Sequence, residues 1–171
     1  MKEYEPARKH EKYLWLVRHA KSARPFGVED RERPLNPRGF RDGGIMAKQL
    51  AKFEHPPETF LVSDALRTRQ TAELINEFLQ VEIELKPVLY SAGSSDVETL
   101  MQGLSEELTS VAIVTHLPTI ERCLWACKTR NMIEFFPTLA MARLEHIGSW
   151  RNFNFRSAIV RKFVVPRSFR K

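Results

Sequence analysis

The sequence predicts an α/β fold: a three-layer α/β/α sandwich whose central sheet is mostly parallel, with antiparallel strands at one edge. Two short apolar runs, 13–17 and 111–115, are hydrophobic without a break, which is typical of strands covered on both faces. Strand-like runs alternate with helical patterns over short connections, as they do in parallel sheets. Two further strand-like runs, 138–145 and 152–160, follow one another and predict the antiparallel edge.

Capping signals and apolar spacing predict the first two helices. Asn36 followed by Pro37 is a helix start, and that helix is expected to run to about residue 53. Its inward-facing residues are predicted to be Phe40, Ala47 and Leu50. A second strand, 59–63, then leads into a helix over 65–79, with Asp64 as a candidate cap. The residues that this helix is predicted to bury are Leu74, Ile75, Phe78 and Leu79.

The next elements follow the same logic. A short strand over 82–85 precedes a helix whose predicted N-cap is Ser95, with Glu98 completing a capping box. After the fourth strand, which is the apolar run 111–115, a helix is expected from residue 117 to about 128. It carries Cys123 and Cys127 on one face, and both are predicted to be buried apolar thiols rather than zinc ligands. A turn at Gly148 and Ser149 is expected to separate the last two strands.

Composition fits one globular domain over residues 1–171, with 1–12 and 164–171 mobile or peripheral. The 27 Lys and Arg residues against 21 Asp and Glu give a net charge of +6, which attracts anions. No apolar run approaches the length of a membrane span, and no secretory signal follows the charged first residues. We therefore expect a cytoplasmic protein without a membrane partner.

Polar residues stand where three of the predicted strands end. The first strand ends in Arg18 and His19, the second in Ser63 with Arg67 one turn into the next helix, and the fourth in His116. Parallel strands would bring these side chains to one edge of the sheet, where open α/β sheets hold ligands. Two arginines and two histidines without a ring of carboxylates favour a phosphate site, with no metal or other cofactor.

This residue set indicates phosphoryl transfer to a histidine and then to water. Cationic neighbours keep an imidazole neutral, which leaves it able to attack phosphorus in line. The arginines and the second histidine would stabilise charge on the phosphoryl oxygens.

Four blocks in order resemble the histidine phosphatase superfamily, in its compact SixA-type branch. They are 16–22 around the first histidine, 33–39, 62–72 around the second arginine, and 114–118 around the second histidine. The resemblance covers about 13–160 and implies the phosphoglycerate mutase-like form of the fold. A single block would be weak, whereas four in order are specific.

The resemblance implies a role for each site residue. His19 would be the phosphorylated nucleophile, and the phosphate would be bound by Arg18, Arg67 and His116, with Ser22 as a supporting contact. Larger members of the family carry an acid between the second arginine and the second histidine that protonates the leaving group. Here the candidate general acid is Asp96, although its place at a helix N-terminus predicts an electrostatic role there first.

The resulting hypothesis is a phosphohistidine or phosphomonoester phosphatase, with a phosphohistidine-containing protein domain as the expected substrate. Imidazole can leave already protonated and so needs less help from an acid than an alkoxide does. Two alternatives stay open: a small-metabolite phosphatase of the same family, and a non-catalytic module that binds phosphorylated ligands. Nucleic acid is not expected as a partner, because the basic C-terminal tail lacks a stacking motif. The sequence leaves the oligomeric state open.

Overall fold

A six-stranded sheet forms the centre of the molecule in the computed structural model, which describes residues 10–128 and 133–170. The strand order is β3-β2-β4-β1-β5-β6. Strands β1 to β4 are mutually parallel, and β5 is antiparallel to both of its neighbours. The strands are β1 (Glu11–Arg18), β2 (Thr59–Val62), β3 (Glu82–Leu85), β4 (Ser110–Thr115), β5 (Met141–Ile147) and β6 (Ile159–Val164).

Helices cover both faces of this sheet, because its central strands are apolar on both sides. The four helices are α1 (Pro37–Leu50), α2 (Leu66–Ile75), α3 (Ser94–Gln102) and α4 (Leu117–Ala126). Trp15 and Val17 of β1 pack in one core with α1 and α2, whereas Leu14 and Leu16 pack in the other with α3 and α4. The predicted three-layer sandwich, mostly parallel with an antiparallel edge, is confirmed.

The first helix starts where the sequence predicts. The Asn36 side chain accepts a hydrogen bond from the Gly39 N–H, and Pro37 occupies the first helical position. Gly43 lies against Leu74 of α2, and a Cβ at Gly43 would come within 2.7 Å of that side chain. The glycine therefore permits the close packing of α1 on α2.

Four local predictions on the helices are wrong. Phe40 and Phe78 are exposed rather than buried. The capping residue of α3 is Gly93 rather than Ser95, and Glu98 instead accepts a hydrogen bond from the Phe155 N–H. Asp64 does not cap α2, since its carboxylate pairs with Arg31 at 3.1 Å. Both cysteines are free and buried, as predicted.

The C-terminal strands are neighbours, but no tight turn joins them. Residues 148–158 form an irregular connection that buries Trp150, Phe153 and Phe155 under the α3–α4 face. The last strand therefore begins at Ile159, later than predicted. After β6, a 3-10 turn at Pro166–Phe169 brings Arg170 onto Asp42 of α1 with two hydrogen bonds.

The expected mobile lead-in over residues 1–12 lies only partly within the described residues. Residues 1–9 of the expected mobile lead-in lie outside them, whereas Glu11 and Lys12 already belong to β1. Within residues 10–128 and 133–170, no helix is long and apolar enough to cross a membrane.

Candidate active site

The register of the parallel strands brings the predicted residues together. Arg18 at the end of β1 pairs with Thr115 at the end of β4. The backbone ladder continues one residue further, since the His19 N–H donates to the Thr115 carbonyl at 3.0 Å. Ser63 extends β2 in the same way and donates its N–H to β4 at 3.0 Å. Arg18, His19, Ser63 and His116 consequently share the carboxyl edge of the sheet, as the sequence predicts.

His19 is held with one ring nitrogen free. Its Nδ1 lies 2.7 Å from the Ala20 carbonyl oxygen, and because a carbonyl can only accept, Nδ1 carries the proton. The lone pair is therefore on Nε2. Burial, opposed by this hydrogen bond and assisted by His116, Arg67 and Arg18, lowers the pKa of His19 to about 3. The ring is neutral at pH 7 and can act as a nucleophile.

His116 is held by both nitrogens. Nη2 of Arg67 lies 3.3 Å from Nδ1, and since a guanidinium can only donate, Nδ1 is the acceptor. Nε2 then carries the proton and donates to the Ser63 Oγ at 2.9 Å. Burial and the neighbouring Arg67 charge lower the pKa of His116 to about 4. The centroids of the His19 and His116 rings are 5.4 Å apart.

Contacts within the protein fix the side chains of the two arginines, Arg18 and Arg67. Nη1 of Arg18 donates to the Phe136 carbonyl at 2.8 Å. Arg67 lies in the first turn of α2 and is only 6% exposed. A threonine joins this turn to β1, because the Thr71 hydroxyl accepts from the Ala20 N–H and donates to the Arg67 carbonyl. These contacts tie the turn that carries Arg67 to the chain that follows His19.

These side chains line a cavity of about 340 Å³ at the edge of the sheet. Ser22 lies in its wall and accepts a hydrogen bond from Arg33 at 2.7 Å, which leaves the serine proton available to a ligand. Lys21, Arg24 and Arg33 add positive charge to the rim. The cavity is therefore strongly cationic and suited to a phosphoryl dianion.

One acidic residue that sequence reasoning missed lies in this cavity. Asp30 reaches it from the long 21–36 loop, and its carboxylate accepts from Arg67 at 2.9 Å and from the Tyr90 hydroxyl at 2.5 Å. Hydrogen bonds from Tyr90, Arg33 and Arg67 hold the pKa of Asp30 well below its usual range, so the carboxylate stays ionised. The Arg67 donor that Asp30 engages is one that a phosphoryl oxygen could also use.

Asp96, the candidate general acid from the sequence, is not brought into the cavity. Its carboxylate accepts a hydrogen bond from the Gly93 N–H at 2.8 Å, at the start of α3. The capping role expected there is present, and Asp96 is absent from the described residues that line the cavity. The Asp30 to Arg33 segment, two acids and two arginines in a loop beside the first histidine, was the sequence signal for the missed carboxylate.

The described residues contain no group of three or more His, Cys, Asp or Glu side chains that could hold a metal ion. The cavity donors are guanidinium, imidazole, hydroxyl and ammonium groups, which match phosphate oxygens directly.

Known proteins resemble this chain in sequence and in fold. The model of the histidine phosphatase superfamily (branch 1) matches residues 14–109. An uncharacterized protein of Mycobacterium leprae is 32% identical over 163 residues, covering 88% of this chain and 100% of the relative. The phosphohistidine phosphatase SixA of Escherichia coli is 31% identical over 111 residues, covering 63% of this chain and 68% of the relative. A solved structure of the protein histidine phosphatase SixA with tungstate superposes with a TM-score of 0.77 at 26% identity, covering 92% of this chain and 99% of that one.

These matches, together with a cationic cavity at the carboxyl edge of a mostly parallel sheet, define the class of protein. The chain belongs to the histidine phosphatase superfamily, in its SixA-type branch, and is a hydrolase of the phosphatase class.

Proposed function

We propose that this phosphatase hydrolyses phosphohistidine in a protein substrate, through a phosphorylated intermediate on His19. The observation that carries the proposal is the pair of neutral histidines with opposite hydrogen bonding, both of them near enough to Arg18 and Arg67 for those charges to lower their pKa. His19 offers a lone pair on Nε2, whereas His116 has both nitrogens engaged. The two rings therefore suit the two roles of nucleophile and charge stabiliser.

In the first step Nε2 of His19 attacks phosphorus in line. The bond from phosphorus to the substrate nitrogen breaks, and the substrate imidazole, already protonated on its other nitrogen, leaves as the neutral ring. Arg18 and Arg67 hold the equatorial oxygens, and Ser22 can donate its proton to one of them. The negative charge of the phosphoryl group favours the protonated form of His116, whose Nδ1 then donates to an oxygen as Arg67 turns to the ligand. The bond that forms is of the same type as the bond that breaks, so the transfer is close to balanced in energy.

In the second step water attacks the phosphoryl group on His19. The oxygen of the water bonds to phosphorus, the phosphorus–Nε2 bond breaks and its electron pair returns to Nε2, so that His19 is neutral again. Both protons of the water leave with the product as dihydrogen phosphate, which can then release one of them to solvent. The hydrogen bond from Nδ1 to the Ala20 carbonyl is kept throughout, which holds the ring at the correct angle.

The choice of phosphohistidine over a phosphate ester depends on the leaving group. Asp30 is the carboxylate among the described residues that line the cavity, and its lowered pKa makes it a poor proton donor at neutral pH. An ester of an alcohol needs such a donor, because its alkoxide is a poor leaving group. Phosphohistidine needs no proton donor from the enzyme, because its imidazole departs as a neutral ring.

The test is phosphate release from a phosphohistidine peptide and from a phosphoserine peptide of the same length, each in the presence of EDTA. We expect turnover of the phosphohistidine peptide to exceed that of the phosphoserine ester and to survive EDTA. His19→Ala should have no turnover, and Arg161→Lys, on the exposed face of β6, serves as the matched control. Faster turnover of the ester would favour a small-metabolite phosphatase. Binding of phosphate without turnover of either substrate would contradict the mechanism.

A further inference from the structure

A second groove adjoins the catalytic cavity. It has a volume of about 340 Å³, and Thr138 lines both it and the catalytic cavity. We call it the side groove and define it by Arg38, Phe135, Pro137, Phe163, Val165 and Arg167. Its two halves differ in chemistry, since the floor is aromatic and aliphatic and the rim carries arginines.

The floor exposes aromatic surface that the fold leaves uncovered. Phe135 is 69% exposed and Phe163 is 37% exposed. Phe163 is held in place by Phe136, whose ring centroid is 5.4 Å away. Exposed and positioned aromatic rings of this kind are typical of binding surfaces rather than of ordinary solvent-facing strands.

The rim carries an excess of positive charge. Arg170 gives two hydrogen bonds to Asp42, at 3.0 and 2.6 Å, and Nε of Arg38 lies 3.6 Å from the same carboxylate. Three arginines, Arg38, Arg167 and Arg170, line the groove, and the Asp42 carboxylate pairs with two of them, Arg38 and Arg170. The arrangement is complementary to a ligand that brings carboxylates of its own.

A strained turn connects the side groove to the nucleophile. Leu139 has a φ of 59°, an unusual value for a residue with a branched side chain. Its N–H donates to the His19 carbonyl at 3.1 Å, and the preceding Thr138 lines both cavities. A chain that places its phosphoryl group at His19 can therefore continue past Thr138 onto the exposed phenylalanines.

We propose that the side groove binds an acidic, apolar segment of the protein substrate, adjacent to its phosphohistidine. This inference rests on the proposed function and deepens it, because it names the kind of protein surface that the enzyme selects. Apolar side chains of the segment lie on Phe135 and Phe163, and its carboxylates face Arg38 and Arg167. A small phosphorylated molecule fills the catalytic cavity alone and does not reach the groove.

The test compares three substrates on the wild type and on the double variant Phe135→Ser, Arg167→Glu. The substrates are phosphoramidate, a phosphohistidine peptide flanked by Glu and Leu, and one of equal length flanked by Gln and Ser. We expect the variant to raise KM for the Glu/Leu peptide about tenfold or more. Turnover of phosphoramidate and of the Gln/Ser peptide should stay unchanged. The control double variant is Trp125→Ser, Arg151→Glu, which removes an exposed aromatic ring and reverses a charge elsewhere.

Binding of the unphosphorylated Glu/Leu peptide, followed by fluorescence anisotropy, tests the groove independently of catalysis. Wild type and control variant should bind it, and the groove variant should bind at least tenfold more weakly. Equal binding by all three proteins, or no binding by any, overturns the inference even if phosphohistidine turnover is found. A concentration-dependent dimer in sedimentation, lost in the groove variant, would assign the groove to a second copy of the chain and overturn it as well.

Discussion

The ends of β1 and β4 each carry a histidine, yet the two rings are bonded in opposite ways. At the end of β1, Nδ1 of His19 is tied to a backbone carbonyl and Nε2 is left free. At the end of β4, His116 is tied at both nitrogens, by Ser63 and by Arg67. The residue type is the same, and the neighbours decide which ring can attack and which can only stabilise charge.

The difference arises from the fold rather than from the strands themselves. The chain after His19 turns so that the carbonyl of the next residue, Ala20, faces the His19 ring. His116, which precedes α4, instead contacts the side chains of Ser63, at the end of β2, and Arg67, in α2. One histidine is thus oriented locally, and the other through contacts distant in sequence. Variants at these contacts should therefore affect the two rings unequally.

The largest expected effect is the loss of covalent chemistry in His19→Ala. We expect a decrease in turnover of roughly a thousandfold or more, and no phosphorylated protein after an alkaline quench, measured by intact mass spectrometry. His116→Ala should react slowly but still take up the phosphoryl group. Phosphate found on His116 of the wild type would invert the assignment of the two rings.

The next effect is expected at Arg67. In Arg67→Lys the charge remains, but the planar pair of donors is lost, together with the contact to His116. We expect kcat/KM for the phosphohistidine peptide to fall by about a hundredfold. Arg122→Lys, on α4 outside the cavity, is the control and should change kcat/KM less than twofold, roughly the scatter between surface variants.

A third effect concerns stability and pH. The pKa of His116 is about 4 in the folded chain, against the ordinary value of 6.5 that we expect in the unfolded chain. As pH falls below 6.5 the unfolded chain takes up the proton first, so stability decreases between pH 6.5 and about 4. Urea unfolding at pH 7 and pH 5 should show the wild type losing about 2 kcal/mol more than His116→Gln. An identical loss in both proteins would mean that His116 is protonated in the native state.

A smaller effect is expected at Ser63. Its hydroxyl orients His116, and Ser63 is not among the described residues that line the cavity. Ser63→Ala removes the acceptor of the Nε2 proton, at a cost of about 1 kcal/mol or roughly fivefold in kcat/KM. Ser63→Thr keeps a hydroxyl and should restore most of the rate. The phosphorylated His19 intermediate should still form in both variants. If Ser63→Ala abolished its formation, Ser63 would have a role in the chemical step itself.

The sequence predicted the strand ends well for a physical reason. Buried parallel strands must be apolar on both faces, so the first polar residue marks the edge of the sheet, as Arg18 and His116 do. Helix faces were harder. Phe78 follows the last residue of α2, Ile75, and lies in a turn rather than on the helix. Phe40 is displaced from the buried face because Gly39 packs against the Lys21 carbonyl, where a Cβ would collide.

Asp30 could not be predicted from periodicity, because the 21–36 loop has none. Its position depends on contacts between elements distant in sequence, namely the bridge of Ser22 with Leu35 and the hydrogen bond from the Leu35 N–H to Gln70. The acid of larger relatives corresponds in sequence position to Asp96, which in this chain caps a helix. Loop residues that reach a site through tertiary contacts leave little trace in local sequence patterns.

Asp30 also supplies a counter-ion for Arg67 within the catalytic cavity. The Asp30 carboxylate engages Arg67 and Tyr90, so we expect a phosphoryl group to displace this anion from Arg67 on binding and the contact to form again when phosphate departs. Because a phosphoryl group must compete with Asp30 for Arg67, we expect weaker binding of both substrate and phosphate product. The same competition should speed the release of phosphate. Asp30→Asn should lower the inhibition constant of inorganic phosphate a few-fold, as expected for removal of a partly exposed charge, and slow product release in a stopped-flow assay. A weaker inhibition by phosphate in that variant would show that Asp30 helps to hold the product instead.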